Sequence, residues 1–362
     1  MTRPTQEIDA EIRRAWTLPS RFYGDAATHA EVLERVFARS WQIVARDEDV
    51  RTPQQVHPCS FLDGSIDEPL LLTRDGEDRL HCLSNVCTHR GSLVAASPCR
   101  ASQLRCPYHG RRFSLDGRFQ SMPSFESAEN FPSPSDDLPR FPAGRWGPFH
   151  FASLDPAEPF DSMIAPMRER MSWLPLDEFR FEPSRSRDYL VRANWALYCD
   201  NFLEGFHIPF VHASLNDVLD TASYDTELHS RSVLQVGVAK GGEDSFELPR
   251  DHPDAGRPIA AFWWWLFPNL MFNFYPWGLS LNIVRPLAVD RTRVSFQSWV
   301  WRPERLDSGA GAEIDRVERE DEQIVELVQR GVRSRRYDRG RYSPTREQGV
   351  WHFHRLLAGA LA

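Results

Sequence analysis

The chain has 362 residues, 41% of them hydrophobic and 26% charged, and carries a formal net charge of −8. That composition supports a normal core without disulfides, in one large domain or two modest ones. It argues against a nucleic-acid surface, and against a lysine-dependent phosphate loop, because Lys240 is the only lysine among 43 basic residues and sits in AKGGEDS.

The N-terminal stretch MTRPTQEIDAEIRRAW is charged and lacks the apolar core of a secretion signal. The longest apolar run, AAFWWWLF, is too short to span a membrane. A cytoplasmic protein without membrane contact is expected, and its six cysteines read as thiols or metal ligands. The stretch 28–40, THAEVLERVFARS, has apolar residues at helical spacing and is expected to be an early helix. From Trp41 the texture changes to short alternating runs such as PLLLT and RLHCLSNV, broken by turn dipeptides, which predicts a small antiparallel β domain over 41–155. The Pro- and Ser-rich stretch SMPSFESAENFPSPSDDLPRFPAG reads as a loop leaving it, and 160–183 as a connector with some helix.

The second domain, 156–362, is expected to hold a helix around 194–207, strand-like runs at 231–238, 258–275, 279–286 and 292–301, and a long helix at about 312–333. Strands between two helices predict an α+β domain with an antiparallel sheet. Residues 1–40 would form a helical segment packing on it.

Two constellations carry chemistry. In the first, Cys87-x-His89 and Cys106-x-x-His109 each supply one thiolate and one imidazole. Two cysteines on one iron and two histidines on the other is the Rieske arrangement of a [2Fe–2S] cluster. Gly91 and Gly110 follow the histidines, where tight loops need a residue without Cβ. A Cys2His2 zinc knot is the competing reading, but such frames pair like ligand with like at short spacing. Cys82 and Cys99 read as packing residues.

The second constellation is CDNFLEGFHIPFVH, 199–212. His207 and His212 are five apart, out of phase on one helix. Pro209 is expected to end the preceding helix near His207 and to turn the chain back, so that both rings converge. Two histidines and a carboxylate make the facial triad of non-haem iron enzymes. The late helix AEIDRVEREDEQIVELVQRGV offers Asp321 on a stripe of Ile314, Val317, Ile324, Val328 and Val332, whereas Glu318, Glu320 and Glu322 fall off that stripe and read as solvated. The aromatic run around Phe262–Trp277 could line a pocket for a cation or a flat apolar molecule, or simply form core. His352 and His354 in the tail read as packing or surface residues.

With both constellations placed, the chain resembles the catalytic α subunits of Rieske non-haem iron oxygenases. Asn194-Trp195, Asp200-Asn201-Phe202, Glu204, His207 and His212 match the family's second motif in order, and Asp321 is followed five residues on by Glu326, as in the family. Ser92 and Tyr108 stand where respiratory Rieske proteins carry extra cysteines. Glu at 204 with Pro after the first histidine resembles the choline, glycine-betaine and carnitine monooxygenase branch. The resemblance implies a β Rieske domain beside a helix-grip (START-like) catalytic domain, usually in a homotrimer. It implies a Rieske [2Fe–2S] cluster on Cys87, His89, Cys106 and His109, and a mononuclear Fe(II) on His207, His212 and Asp321. It gives Glu204 and Asn201 catalytic roles, with Glu204 linking His207 to His109 of a neighbouring copy. The implied activity is O2-dependent hydroxylation or oxidative dealkylation of a small organic substrate. With no dinucleotide fingerprint in the sequence, electrons would come from a separate NAD(P)H-dependent flavin and iron–sulfur reductase. The competing functions are a Rieske electron carrier with an inert ligand-binding domain, and a helix-grip ligand carrier with a zinc knot.

Overall fold

A computed structural model describes residues 7–362. The fold is α+β with antiparallel sheets, in two compact units: Ala38–Asp161, and the chain up to Phe37 together with Ser162–Ala362. Among the described residues no helix is long and apolar enough to cross a membrane.

In the first unit β1 (Gln42–Arg46) pairs β10 (Phe149–Ala152), which pairs β9 (Ala143–Trp146). A second sheet runs β4 (Leu80–Ser84), β3 (Glu68–Arg74), β2 (Gln55–Phe61), β5 (Cys99–Arg100), and a third is β6 (Leu104–Arg105), β7 (Arg112–Phe113), β8 (Phe119–Ser121). Leu70, Leu71 and Leu72 in β3 are all fully buried, so this strand is covered on both faces. Its core gathers Val56, Leu71, Leu83 and Phe113 around Cys87 and Cys106. Cys82 is buried, but Cys99 lies exposed on the edge strand β5 and is not a packing residue.

In the second unit α1 (Ala26–Val32) is capped by Asp25 and widens into a π-helical turn over Leu33–Phe37. After α2 (Phe160–Arg170) comes a large sheet in the order β11 (Arg180–Phe181), β18 (Arg291–Val300), β17 (Gly278–Ala288), β16 (Leu270–Tyr275), β15 (Ile259–Leu266), β14 (Ser232–Val238), β13 (Asp225–Leu228), with β12 (Arg187–Val191) also on β18. The run expected as one strand over 258–275 is two, reversing at Phe267–Asn269. A second reversal ends at Gly278, where a Cβ would lie 2.2 Å from the Trp299 carbonyl oxygen. The helices are α3 (Trp195–Phe202), α4 (Ile208–Val211), α5 (Ala213–Val218), α6 (Ile314–Val332) and α7 (Gln348–Leu361). α3 packs against α6 and β17, and α7 against β13. The sequence reading did not anticipate α7.

Candidate active site

The site is built on α3, α4 and α6. Asn194 caps α3, accepting from the Ala196 amide at 3.0 Å and donating to the Val289 carbonyl at 2.8 Å. The helix ends at Phe202, not near His207 as expected. Glu204 accounts for the early stop: its carboxylate accepts from the backbone amides of Phe206 and, at 3.0 Å, His207, a local turn that competes with helix. Gly205 fits because a Cβ there would meet the Tyr224 ring at 2.6 Å. Pro209 then sits in the first turn of α4, where its missing N–H is not needed. It therefore begins a one-turn helix instead of ending a long one, and the two histidines flank that turn.

The convergence is close. His207 Nε2 lies 3.2 Å from His212 Nε2, His212 Nε2 3.0 Å from Asp321 Oδ1, and His207 Nε2 3.4 Å from the same oxygen. Among the described residues this trio is the one His/Cys/Asp/Glu group whose ligand atoms all lie within 4.8 Å of one another. Its chemistry, two imidazoles and one carboxylate, fits a divalent iron. Each ring is held from behind: Glu204 Oε1 is 2.7 Å from His207 Nδ1, and Glu320 Oε2 is 2.8 Å from His212 Nδ1. Those contacts place a proton on Nδ1 and leave Nε2 free to bind.

The solvated reading of the neighbouring acids is overturned. Glu320 orients His212, and Arg316 Nε holds its other oxygen at 3.2 Å. Glu318 is half-buried and accepts from the Tyr198 hydroxyl at 2.6 Å. Burial and the neighbouring charge of Asp321 push it up to about 8. Burial likewise lifts Glu322 to about 7. The buried face of α6 is Asp321, Val325, Gln329 and Val332, while Val328 is 42% exposed. The stripe picked out Asp321 but was turned too far toward Val328.

A cleft of about 80 Å³ adjoins the trio, lined by Asn201, Glu204, Trp263, Tyr275 and Glu318 among others. Asp200 belongs to a separate buried network. His354 Nε2 lies 2.8 Å from Asp200 Oδ1, its Nδ1 2.6 Å from the Tyr342 hydroxyl, and Tyr23 donates to Asp200 Oδ2 at 3.0 Å. His354 is 1% exposed, so it is an interior hydrogen-bonding residue and neither simple packing nor surface.

In the other unit Cys87 and Cys106 are buried, and the His89 and His109 rings approach with centroids 4.8 Å apart. The loops repeat one pattern: Gly91 N donates to the Cys87 carbonyl at 3.0 Å and Gly110 N to the Cys106 carbonyl at 3.1 Å, with φ of 72° and 73°. No three of these four residues bring ligand atoms within 4.8 Å, among the described residues. One zinc ion would draw all four that close, whereas a two-iron cluster holds them apart. His109 Nδ1 is buried with no hydrogen-bond partner, as a ligand nitrogen would be. Tyr108 covers His109, with ring centroids 3.7 Å apart. Behind the second loop Arg111 is buried against the rings of Phe113, Phe119 and Phe131 and pairs with Asp136.

Known proteins match along nearly the whole chain. The family described as ring hydroxylating alpha subunit (catalytic domain) matches residues 176–362, and the Rieske [2Fe-2S] domain matches residues 40–132. Choline monooxygenase of Arabidopsis thaliana, a chloroplastic protein, is 31% identical, over 97% of this chain and 85% of its own length. The carnitine monooxygenase oxygenase subunit of Escherichia coli K12 is 28% identical, over 96% of this chain and 95% of its own. Among solved structures, a quaternary ammonium Rieske monooxygenase in complex with an inhibitor superposes with a TM-score of 0.79 at 22% identity, covering 99% of this chain and 100% of that one. A naphthalene 1,2-dioxygenase bound to phenanthrene shares the fold at a TM-score of 0.71 and 16% identity, covering 96% and 92%.

Proposed function

The chain belongs to the ring-hydroxylating alpha-subunit family of Rieske oxygenases, and from that premise we propose a monooxygenase acting on a small quaternary ammonium compound. It is an oxygenase with a Rieske [2Fe–2S] cluster and a mononuclear iron. The observation that carries the reading is the trio His207, His212 and Asp321, converging at the head of an aromatic cleft. Aromatic walls attract a quaternary ammonium group through their negative faces. The names of the relatives point the same way. The electron-carrier alternative leaves the trio without work and is set aside.

In the reaction one oxygen atom of O2 enters a C–H bond of the substrate and the other leaves as water. Two electrons from NAD(P)H, passed on by a separate reductase, and two protons complete the balance. When bound, the iron supplies oxygen activation and the cluster supplies electrons singly. The chain's own residues do the rest. Cys87, His89, Cys106 and His109 would hold the cluster, and the trio the iron. Glu204 and Glu320 keep the ring protons on Nδ1, and Asn201 faces the cleft.

A homotrimer in which one copy's cluster loops dock beside Glu204 of the next suits the exposed rings at both places. Phe206 and Phe210 are 48% and 81% exposed, and Tyr108 is 57% exposed. A cytoplasmic location suits six free cysteines. The test is anaerobic loading, metal analysis, and oxygen uptake with a surrogate reductase against ammonium compounds and aromatic acids. About three irons per chain are expected, two in the cluster and one on the trio, with uptake that only ammonium compounds stimulate. Zinc in place of iron, or stimulation by aromatic acids alone, would overturn the proposal.

A further inference from the structure

Two groups in the cleft have no part in holding metal, and both ask for something a ligand can provide. Glu318 stands one turn before Asp321 on α6 and lines the same cleft. Its carboxylate accepts from the Tyr198 hydroxyl at 2.6 Å and from Asn282 Nδ2 at 3.3 Å, both neutral donors. It forms no ion pair with a described arginine, lysine or histidine. The lining contains no arginine or lysine at all, and its two histidines are turned to the trio. Desolvation and the charge of Asp321 push this half-buried group up to about 8, so its ionised form is favoured only when a positive charge meets it. No basic side chain in the lining supplies it, so beyond iron on the trio a cationic ligand is the remaining source.

The second group is Gln235, 1% exposed. Its Nε2 donates to the Phe202 carbonyl at 2.7 Å, which fixes the amide orientation. Its Oε1 is then left buried with no donor. The site thus presents an acceptor seeking a hydroxyl or N–H, and it would repel a second acceptor. The same cleft has an aromatic wall: Trp263 Nε1 donates to the Tyr275 hydroxyl at 3.0 Å, and the Tyr224 ring lies against Trp263, with centroids 5.8 Å apart and planes 24° apart.

We propose that Glu318 and Gln235 are the specificity-determining residues of this pocket, and that it takes a small cation bearing a hydrogen-bond donor and no carboxylate. An ammonium alcohol fits that description, and an ammonium acid does not. The inference rests on the oxygenase reading of the same site and narrows it. A carboxylate on the ligand would face Glu204, Glu318 and the unpaired Gln235 oxygen, with no basic side chain to receive it.

The test is calorimetric binding to the anaerobic, iron-loaded protein, with choline, glycine betaine and dimethylbutanol, the uncharged carbon isostere of choline, as probes. Choline should bind roughly tenfold or more tightly than either of the others. Glu318→Gln should abolish choline's advantage over dimethylbutanol while iron content and the cluster's EPR signal stay as they were. Equal binding of choline and dimethylbutanol by the wild type, or betaine binding as well as choline, would overturn the assignment without any variant being needed. So would a Glu318→Gln protein that keeps the full preference for choline. Failure of the oxygenase reading itself looks different: no iron is retained, and no probe stimulates oxygen uptake.

Discussion

Replacing Glu204 and Glu320 by glutamine, one at a time, tests whether the carboxylates behind the two histidines do the same work. Both touch Nδ1 of a metal-facing ring, at 2.7 Å and 2.8 Å. They differ in the second oxygen. That of Glu204 accepts from two backbone amides, whereas that of Glu320 faces Arg316, which is 58% exposed. A glutamine at 204 must put its NH2 group on one side or the other. Toward the backbone it sets a donor against two donors, at about 1–3 kcal/mol for each buried group left unsatisfied. Toward His207 it forces the ring proton onto Nε2, where the metal should bind. At 320 the NH2 group turns to Arg316, which can swing into water for about 0–1 kcal/mol, the usual worth of a surface pair. Glu204→Gln should therefore weaken iron binding or turnover by about 10–100-fold, the typical cost of losing a ligand's outer partner. Glu320→Gln should cost no more than about fivefold, while Glu320→Ala, which removes the acceptor altogether, should cost about 10–100-fold. The assay is titration of apoprotein with Fe(II), read as bound iron and as substrate-coupled oxygen uptake. Equal losses in the two glutamine variants would refute the reasoning.

Asp321→Ala should strip the mononuclear iron and leave the cluster, so that metal analysis falls from about three irons per chain to about two with an unchanged EPR signal; retained coupled turnover would count against the trio. His354→Ala leaves Asp200 and the Tyr342 hydroxyl short of a buried partner and should destabilise the fold by about 2–4 kcal/mol in calorimetry, and a loss under about 1 kcal/mol would contradict this. His150 is 1% exposed, with neither ring nitrogen hydrogen-bonded, although Asp47 Oδ1 lies 3.5 Å from Nε2. Burial lowers its pKa from 6.5 to about 4, against the pull of Asp47. The unfolded chain takes the proton first, so this contribution is full above pH 6.5 and is lost as pH falls toward 4, by up to about 3 kcal/mol. His150→Leu should flatten the melting temperature across that window, followed through the cluster's absorbance, and an unchanged slope would refute it.

The parts legible in the sequence are those whose signal is local. Cys87-x-His89 and Cys106-x-x-His109 stand out by their spacing, and β14, β17 and β18 by their apolar runs between turn residues. What escaped was polar and long-range. Gln329 occupies the buried face of α6 because it accepts from the Asn194 amide at 2.7 Å and donates to the Tyr23 carbonyl at 3.3 Å. A polar residue at a core position breaks the apolar period, and the stripe drawn without it swung toward Val328 and away from Glu318 and Glu320. α7 was missed for a related reason: His354 looks like a surface residue until Tyr23, Asp200 and Tyr342 arrive from elsewhere in the chain. The stop of α3 at Phe202 depends on one carboxylate folding back onto two amides, a contact no periodicity reports.

The acid run on α6 joins these threads. Glu318, Glu320, Asp321 and Glu322 crowd one stretch of helix, and like charges one turn apart work against it even on a surface. Here Asp321 is buried and Glu318 half-buried, where repulsion is less screened than in water. The chain answers only part of that charge, with His212 and Arg316 on Glu320 and with Arg319 near Glu322. The proposed function leaves Asp321 to iron and Glu318 to a cation entering the cleft. On the proposed function, the positive charges that settle this face of the helix come from outside the chain. Metal occupancy, ligand selection and the stability of this helix are therefore linked by the same few carboxylates, and a change at one of them should be felt at the others.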